Sequence, residues 1–216
     1  MKWKNVIFDM DGTVLDTLED LLGAMNHAME RHGFEKHTLD EMRTFVGDGL
    51  YMMAVRAVPE GTNKETVDNV FRCFKAYYND HLNVLTRPYE GIVDMLKRLK
   101  QAGIGTGISS NKYDAGAKML SRIHFGELID FTVGESEEVP KKPDPTGTKL
   151  ILQSLHAAPE STLYVGDSGV DIETAKNAGL PMLAVSWGFR SREQLVAGGA
   201  VHIVDNVRDL ESFILS

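Results

Sequence analysis

The chain is almost free of cysteine: Cys73 is the single thiol in 216 residues. No intrachain disulfide can form, which points to a reducing compartment and disfavours Cys/His zinc sites. Long apolar runs are also missing, and nothing approaches the roughly 20 residues of a membrane helix. The apolar start Val6-Ile7-Phe8 meets Asp9 too early for a signal peptide, so a cytoplasmic location is expected. Basic residues are in deficit, 23 Lys and Arg against 31 Asp and Glu, for a net charge of −8. Phosphate backbones are bound by basic surface, so nucleic acid is not expected as a partner. No membrane is expected as a partner either. What is present, 43% hydrophobic and 25% charged residues, is the composition of a folded globular chain of one or two domains.

The order of periodicities organises the chain. Asn5-Val6-Ile7-Phe8 reads as a buried strand that stops at Asp9. Residues 16–82 then read as helices without a strand between them. Leu18, Leu21, Leu22, Met25 and Met29 keep three/four spacing up to Gly33, and Thr38 with Glu41 fits a capping box. Leu50 to Ala57 and Val67 to His81 continue the pattern, which suggests a small bundle with these stripes, His81 included, as its core. From residue 87 strands and helices alternate. Strands are expected at 104–109, 131–133, 162–165 and 182–186, with a short one at 202–204. The helices between them begin near Ile92, Asp114 (as a cap), 146, 169 and Arg192, with a last one from Val207. Alternation of this kind implies parallel pairing in a doubly wound α/β sheet. The expected organisation is an α/β core from 1–14 and 87–216 with an all-α insertion at 15–86. The insertion carries 12 acidic and 7 basic residues, unlike a nucleic-acid arm.

Ligands of open α/β sheets sit at the carboxyl ends of the strands, and four clusters fall there. Asp9 and Asp11 follow the first strand. Paired carboxylates suit either a hard cation or a division of nucleophilic and acid/base work, although an Asx turn would use the same residues. Ser109-Ser110-Asn111-Lys112 follows the second and offers either an anion cradle or a helix cap. Lys141-Lys142-Pro143-Asp144 follows the third. Lys142 can deliver a point charge to a phosphoryl group or belong to a solvated loop. Gly166-Asp167-Ser168-Gly169-Val170-Asp171 follows the fourth, and the four-residue spacing is read as placing Asp167 and Asp171 on one helix face. Asp171 also suits the helix dipole. Four carboxylates brought together would repel without a cation, and Mg²⁺ prefers such oxygen ligands.

In this order the clusters resemble the haloacid dehalogenase superfamily, and within it the phosphoglycolate phosphatase-like group. Asp9-Met10-Asp11-Gly12-Thr13-Val14, Ser110, Lys142 of Lys-Pro-Asp-Pro, and Asp167 with Asp171 match its four motifs over essentially the whole chain. The insertion resembles the family's C1 cap. Val46-Gly47-Asp48-Gly49 and Arg87-Pro88-Tyr89-Glu90-Gly91 resemble subgroup signatures. The resemblance implies a phosphatase acting on a small phosphorylated metabolite such as phosphoglycolate. Asp9 would be the nucleophile and Asp11 the acid and base. Ser110, the Asn111 backbone and Lys142 would hold the phosphoryl oxygens. Mg²⁺ would be held by the Asp9 side chain, the Asp11 carbonyl and Asp167, with Asp171 orienting the metal shell or Lys142.

Substrate choice would fall to the cap, where Arg43 and Arg56 are the candidate cations, and hinges are expected near 15–17 and 82–88. A pyrophosphatase, a sugar-phosphate or nucleotide phosphatase, and a β-phosphoglucomutase-like mutase are alternatives on the same core. Ser109-Ser110-Asn111-Lys112 differs from the Ser-Ala-Ser usual in the mutase, and Asp11 argues against a dehalogenase. A receiver-like signalling or binding module would lack the insertion. Monomer and homodimer both fit the composition. Trp187, Phe189, Leu195 and Phe213 suit either core or interface.

Overall fold

The computed structural model describes residues 2–47 and 49–216; Asp48, in the Val46–Gly49 signature, lies outside them. The chain divides into two compact units, one of residues 1–16 and 88–216 and one of 17–87.

The first unit is built on a parallel sheet. Its strands are β1 (Asn5–Phe8), β4 (Gly105–Tyr113), β5 (Phe131–Glu135), β6 (Thr162–Gly166), β7 (Met182–Val185) and β8 (Ile203–Val204). They lie in the order β5-β4-β1-β6-β7-β8, and every neighbouring pair is parallel. Two two-residue strands, β2 (Leu15–Asp16) and β3 (Arg87–Pro88), make a separate ladder. The connections carry helices α5 (Ile92–Gln101), α6 (Asp114–His124), α7 (Thr146–Ser154), α8 (Gly169–Ala178), α9 (Arg192–Ala197) and α10 (Val207–Leu215).

β1 is central and apolar because it is covered on both faces; Val6, Ile7 and Phe8 are fully buried. On one face Ile7 and Tyr164 pack with Ile151 and Leu152 of α7, Ala175 of α8 and Leu180. From β1 the chain first builds toward β4 and β5 and later crosses to β6 on the other side. That reversal places the crevice of a doubly wound sheet at the carboxyl end of β1.

Two local readings change. β4 does not stop at Ser109; its pairing with β5 shifts register between Ser109 and Tyr113, and the extended chain continues to Tyr113. Asp114 is therefore not a helix cap. It is the first residue of α6, and its carboxylate accepts the Gly134 N–H at 3.1 Å. Of the four large side chains near the tail, Phe189 and Leu195 are buried, while Phe213 stacks 6.4 Å from Trp3.

The second unit is all helical: α1 (Leu18–Arg31), α2 (Leu39–Phe45), α3 (Leu50–Ala57) and α4 (Lys64–Asp80). Leu18, Leu21, Met25 and Met29 of α1 and Val67, Val70, Phe74 and Tyr78 of α4 form the buried stripes. The Thr38–Glu41 capping box is present. His81 is half-buried, its ring stacked on Tyr77 at 3.9 Å.

Asp20 in the first turn of α1 accepts the N–H groups of Val84, Leu85 and Thr86 at 2.8–3.1 Å, and the Thr86 hydroxyl at 2.8 Å. Residues 84–86, within the stretch expected as a hinge, are thereby fastened to α1. Among the described residues no helix is long and apolar enough to cross a membrane.

Candidate active site

Asp9 is placed by the sheet itself. Its N–H donates to Val165 O at 2.8 Å, continuing the β1–β6 ladder one residue past Phe8. The side chain then turns into the crevice, where Asp9 Oδ1 accepts from the Met10 N–H at 2.6 Å and meets Lys142 Nζ at 2.7 Å. Both donors converge on one oxygen.

Asp167 follows β6. Its Oδ2 accepts the Phe189 N–H at 2.7 Å, and its Oδ1 accepts the Thr13 hydroxyl at 3.2 Å. Helix α8 begins only at Gly169, with Ser168 as its N-cap, so Asp167 stands before the helix rather than on its face. The four-residue spacing brings Asp167 and Asp171 together through the turn.

Asp171 closes a capping box with Ser168. Its Oδ2 accepts the Ser168 N–H at 3.1 Å and hydroxyl at 2.5 Å. Its Oδ1 accepts from Lys142 Nζ at 2.7 Å and from the Tyr164 hydroxyl at 3.3 Å. Asp171 thus serves the helix end and Lys142 together.

Asp9, Asp167 and Asp171 are all buried and each offers a carboxylate oxygen within 4.8 Å of the others. Three carboxylates share one ammonium, and the imbalance shows in their acidity. Burial, then the Asp171 charge, pushes Asp9 well above the usual carboxyl range, and Lys142 only partly opposes this. Burial and Asp171 raise Asp167 to about 7, against the pull of the Phe189 N–H. Burial alone would lower Lys142, but Asp171 and Asp9 overcome it and hold the ammonium well above its ordinary value. Burial keeps Tyr164 protonated, so its hydroxyl is the donor to Asp171.

Two glycines shape the space around Asp167. A Cβ on Gly12, whose φ is +85°, would lie 2.5 Å from Asp167 Oδ2, and one on Gly188 would lie 2.3 Å from it. The donor set, the excess negative charge and this close backbone approach fit a small hard cation that takes oxygen ligands.

The residues from Ser110 to Lys112 divide their labour by strand alternation, which sends successive side chains to opposite sides. Asn111 clamps the Lys142 backbone from one side: its Oδ1 accepts the Lys142 N–H at 2.6 Å and its amide donates to Lys142 O at 3.3 Å. Ser110 and Lys112 meet Asp11 from the other. The Ser110 hydroxyl donates to Asp11 Oδ2 at 3.4 Å, and Lys112 Nζ lies 3.2 Å from Asp11 Oδ1.

The structure therefore brings Asp9, Asp11, Ser110, Asn111, Lys142, Asp167 and Asp171 to one crevice of the first unit. Arg43 and Arg56 belong to the second unit, in the last turns of α2 and α3. Both are exposed, and Arg56 Nη1 donates to Phe45 O at 2.8 Å.

Sequence reasoning missed Gly188 and the Phe189 N–H, which sit against Asp167, and Trp187, whose indole N–H donates to Thr13 O at 3.1 Å. The signal was available: Ser186-Trp187-Gly188-Phe189 follows β7 as the other clusters follow their strands. Tyr164 gave no signal, since a tyrosine inside an apolar strand reads as core.

Comparison with known proteins agrees with this geometry. Residues 6–185 match the profile of the haloacid dehalogenase-like hydrolase family. A phosphoglycolate phosphatase of Mesorhizobium japonicum is 33% identical over 87% of this chain and 84% of its own. An N-acetylmuramic acid 6-phosphate phosphatase of Pseudomonas aeruginosa is 32% identical over 97% of this chain and 94% of its own. A crystal structure from Lactobacillus delbrueckii subsp. bulgaricus, provisionally named a phosphoglycolate phosphatase, superimposes with a TM-score of 0.95 at 35% identity. It covers 99% of both chains. The chain belongs to the haloacid dehalogenase-like hydrolase family.

Proposed function

We propose that this protein is a Mg²⁺-dependent phosphatase that hydrolyses a small phosphate monoester, phosphoglycolate or a metabolite of similar size, through an aspartyl-phosphate. The observation that carries the reading is the convergence of Lys142 on both Asp9 and Asp171, at 2.7 Å each, beside Asp167. A lysine so fixed presents its charge where an anionic phosphoryl group meets a carboxylate nucleophile.

Asp9 Oδ2, the oxygen opposite the Met10 and Lys142 contacts, attacks phosphorus while the ester P–O bond breaks. Asp11 gives its proton to the departing alkoxide oxygen. It then accepts a proton from the water that attacks the aspartyl-phosphate, and the Asp9 carboxylate is regenerated as inorganic phosphate leaves. Ser110, the Asn111 backbone and Lys142 hold the equatorial oxygens.

Asp9, the Asp11 carbonyl and Asp167 would hold the Mg²⁺, which when bound neutralises negative charge around the nucleophile and phosphate. Asp171 has already accepted four donors and acts mainly by fixing Lys142. The domain boundaries expected from the sequence, 1–14 with 87–216 and 15–86, make the helical unit a cap. Arg43 and Arg56 are its cations for a second anionic group of the substrate. A small phosphorylated metabolite in the cytoplasm is the partner this reading requires.

Two relatives of nearly equal identity are named for different phosphate esters, so the reading commits to monoester hydrolysis as its core. Phosphate release from p-nitrophenyl phosphate and a panel of alkyl monoesters headed by phosphoglycolate, with and without Mg²⁺, tests it. Asp9→Asn is expected to remove turnover, by at least about a thousandfold, with the fold intact. Full activity in a folded Asp9→Asn protein defeats the mechanism, and an inert wild-type protein defeats the function.

A further inference from the structure

Four aspartates line the crevice, and three of them are held by close hydrogen bonds. Asp9 has the Met10 N–H at 2.6 Å, Asp167 the Phe189 N–H at 2.7 Å, and Asp171 the Ser168 hydroxyl at 2.5 Å. Asp11 is different. Its Oδ2 receives the Ser110 hydroxyl at the long distance of 3.4 Å. Its Oδ1 is buried without an aligned hydrogen bond. What meets that oxygen is the ammonium of Lys112 at 3.2 Å, on a side chain only 3% exposed.

A buried ammonium is costly unless it faces a carboxylate, and a buried carboxylate is costly unless it faces a cation or donors. Each group here supplies what the other needs. The backbone fixes their meeting. β4 runs extended through Ser110 and Lys112, so both side chains leave on the same side, and the Lys112 N–H donates to Ser110 Oγ at 3.1 Å.

We propose that Lys112 is a positioning residue for the reaction: its ammonium fixes the Asp11 carboxyl in the orientation from which it delivers a proton to the leaving group. This rests on the phosphatase reading above and deepens it. Lys142 serves the nucleophile and the phosphoryl group, and Lys112 serves the acid. Two lysines, each buried and each facing a different aspartate of the same Asp9-Met10-Asp11 turn, divide the chemistry between them.

The division predicts a dependence on leaving group that a merely structural lysine would not produce. An alkyl phosphate needs a well-placed acid because its alkoxide is a poor leaving group. p-Nitrophenyl phosphate needs little help, because its phenolate departs unprotonated. Since kcat/KM reports events through the first phosphoryl transfer, Lys112→Met is expected to lower kcat/KM about a hundredfold for the alkyl ester and less than tenfold for the aryl ester. The alkyl probe is phosphoglycolate, or whichever alkyl monoester of the panel the wild-type protein turns over fastest. Lys112→Arg, which keeps the cation, is expected to retain more of the alkyl activity than Lys112→Met.

Circular dichroism and thermal melting establish that the variants fold. Should Lys112→Met not fold, Lys112→Gln is held to the same ratio. Equal loss for both esters, or no loss, overturns the assignment of Lys112 while leaving the phosphatase reading in place. A wild-type protein inert toward every ester would instead overturn the reading on which it rests.

Discussion

Raising the pH on metal-free protein should destabilise its core unit, and a divalent cation should reverse the effect. Asp167 carries the magnitude. Its folded-state pKa is about 7 against an ordinary 3.8, raised by burial and by Asp171. Between those values the folded chain keeps a proton that the unfolded chain has released. The unfolded state binds fewer protons, so stability falls as pH rises and the loss is complete once the pH passes 7.

From pH 5 to pH 8 a single group with these values forfeits at most about 2.6 kcal/mol. Water reaching the unfolding crevice and exchange of charge with Asp9 reduce this, and about 2 kcal/mol is the expected loss, roughly 4–8 °C in Tm for a chain of this size. Asp9, raised in the same direction, adds to the trend. The assay is thermal or urea unfolding in EDTA at pH 5, 6, 7 and 8, for the wild type and Asp167→Asn, with and without Mg²⁺. Asp167→Asn should flatten the wild-type slope. Mg²⁺ at ten times its Kd should return about 1.4 kcal/mol at pH 8, and far less at pH 5, where the ion must displace a proton. A wild-type profile parallel to that of Asp167→Asn would show that the crevice holds no excess of buried negative charge at Asp167, contrary to its raised pKa.

Gly188→Ala places a methyl group 2.3 Å from Asp167 Oδ2 and 2.4 Å from Gly12 O. It should cost about 1–3 kcal/mol and lower Mg²⁺ affinity at least tenfold by calorimetric titration; an unchanged Kd would count against Asp167 as a ligand. Asp20→Ala strands the N–H groups of residues 84–86 and should destabilise the helical unit by about 2–3 kcal/mol. Hydrogen exchange at those three amides should accelerate, and protection equal to wild type would show that Asp20 does not fasten them.

Much of the fold was legible because its signals are local. β1 spans residues 5–8 as the apolar run before Asp9 implies, and Gly179 ends α8 with φ +71° where a left-handed residue is required. The Thr38–Glu41 box is a four-residue grammar that needs no tertiary partner. The errors fell where long-range pairing overrides local preference. Asp114 has the chemistry of an N-cap, but a register shift in β4 carries the strand to Tyr113 and turns Asp114 toward Gly134. Asp167 and Asp171 have helix-face spacing, but the helix starts between them.

The alternation of elements, the helical insertion and the succession of acids, hydroxyls and lysine at strand ends are all written in local sequence, since each follows from periodicity or from residue chemistry over a few positions. Which charges face which is set by the three-dimensional fold. It gave Lys142 to Asp9 and Asp171, Lys112 to Asp11, Asn111 to the Lys142 backbone, and Gly12 with Gly188 to Asp167. Those partners lie between 21 and 155 residues apart, and their meeting depends on the order in which parallel strands settle beside β1. Coulomb energy depends on distance in space, and the sequence records distance only along the chain.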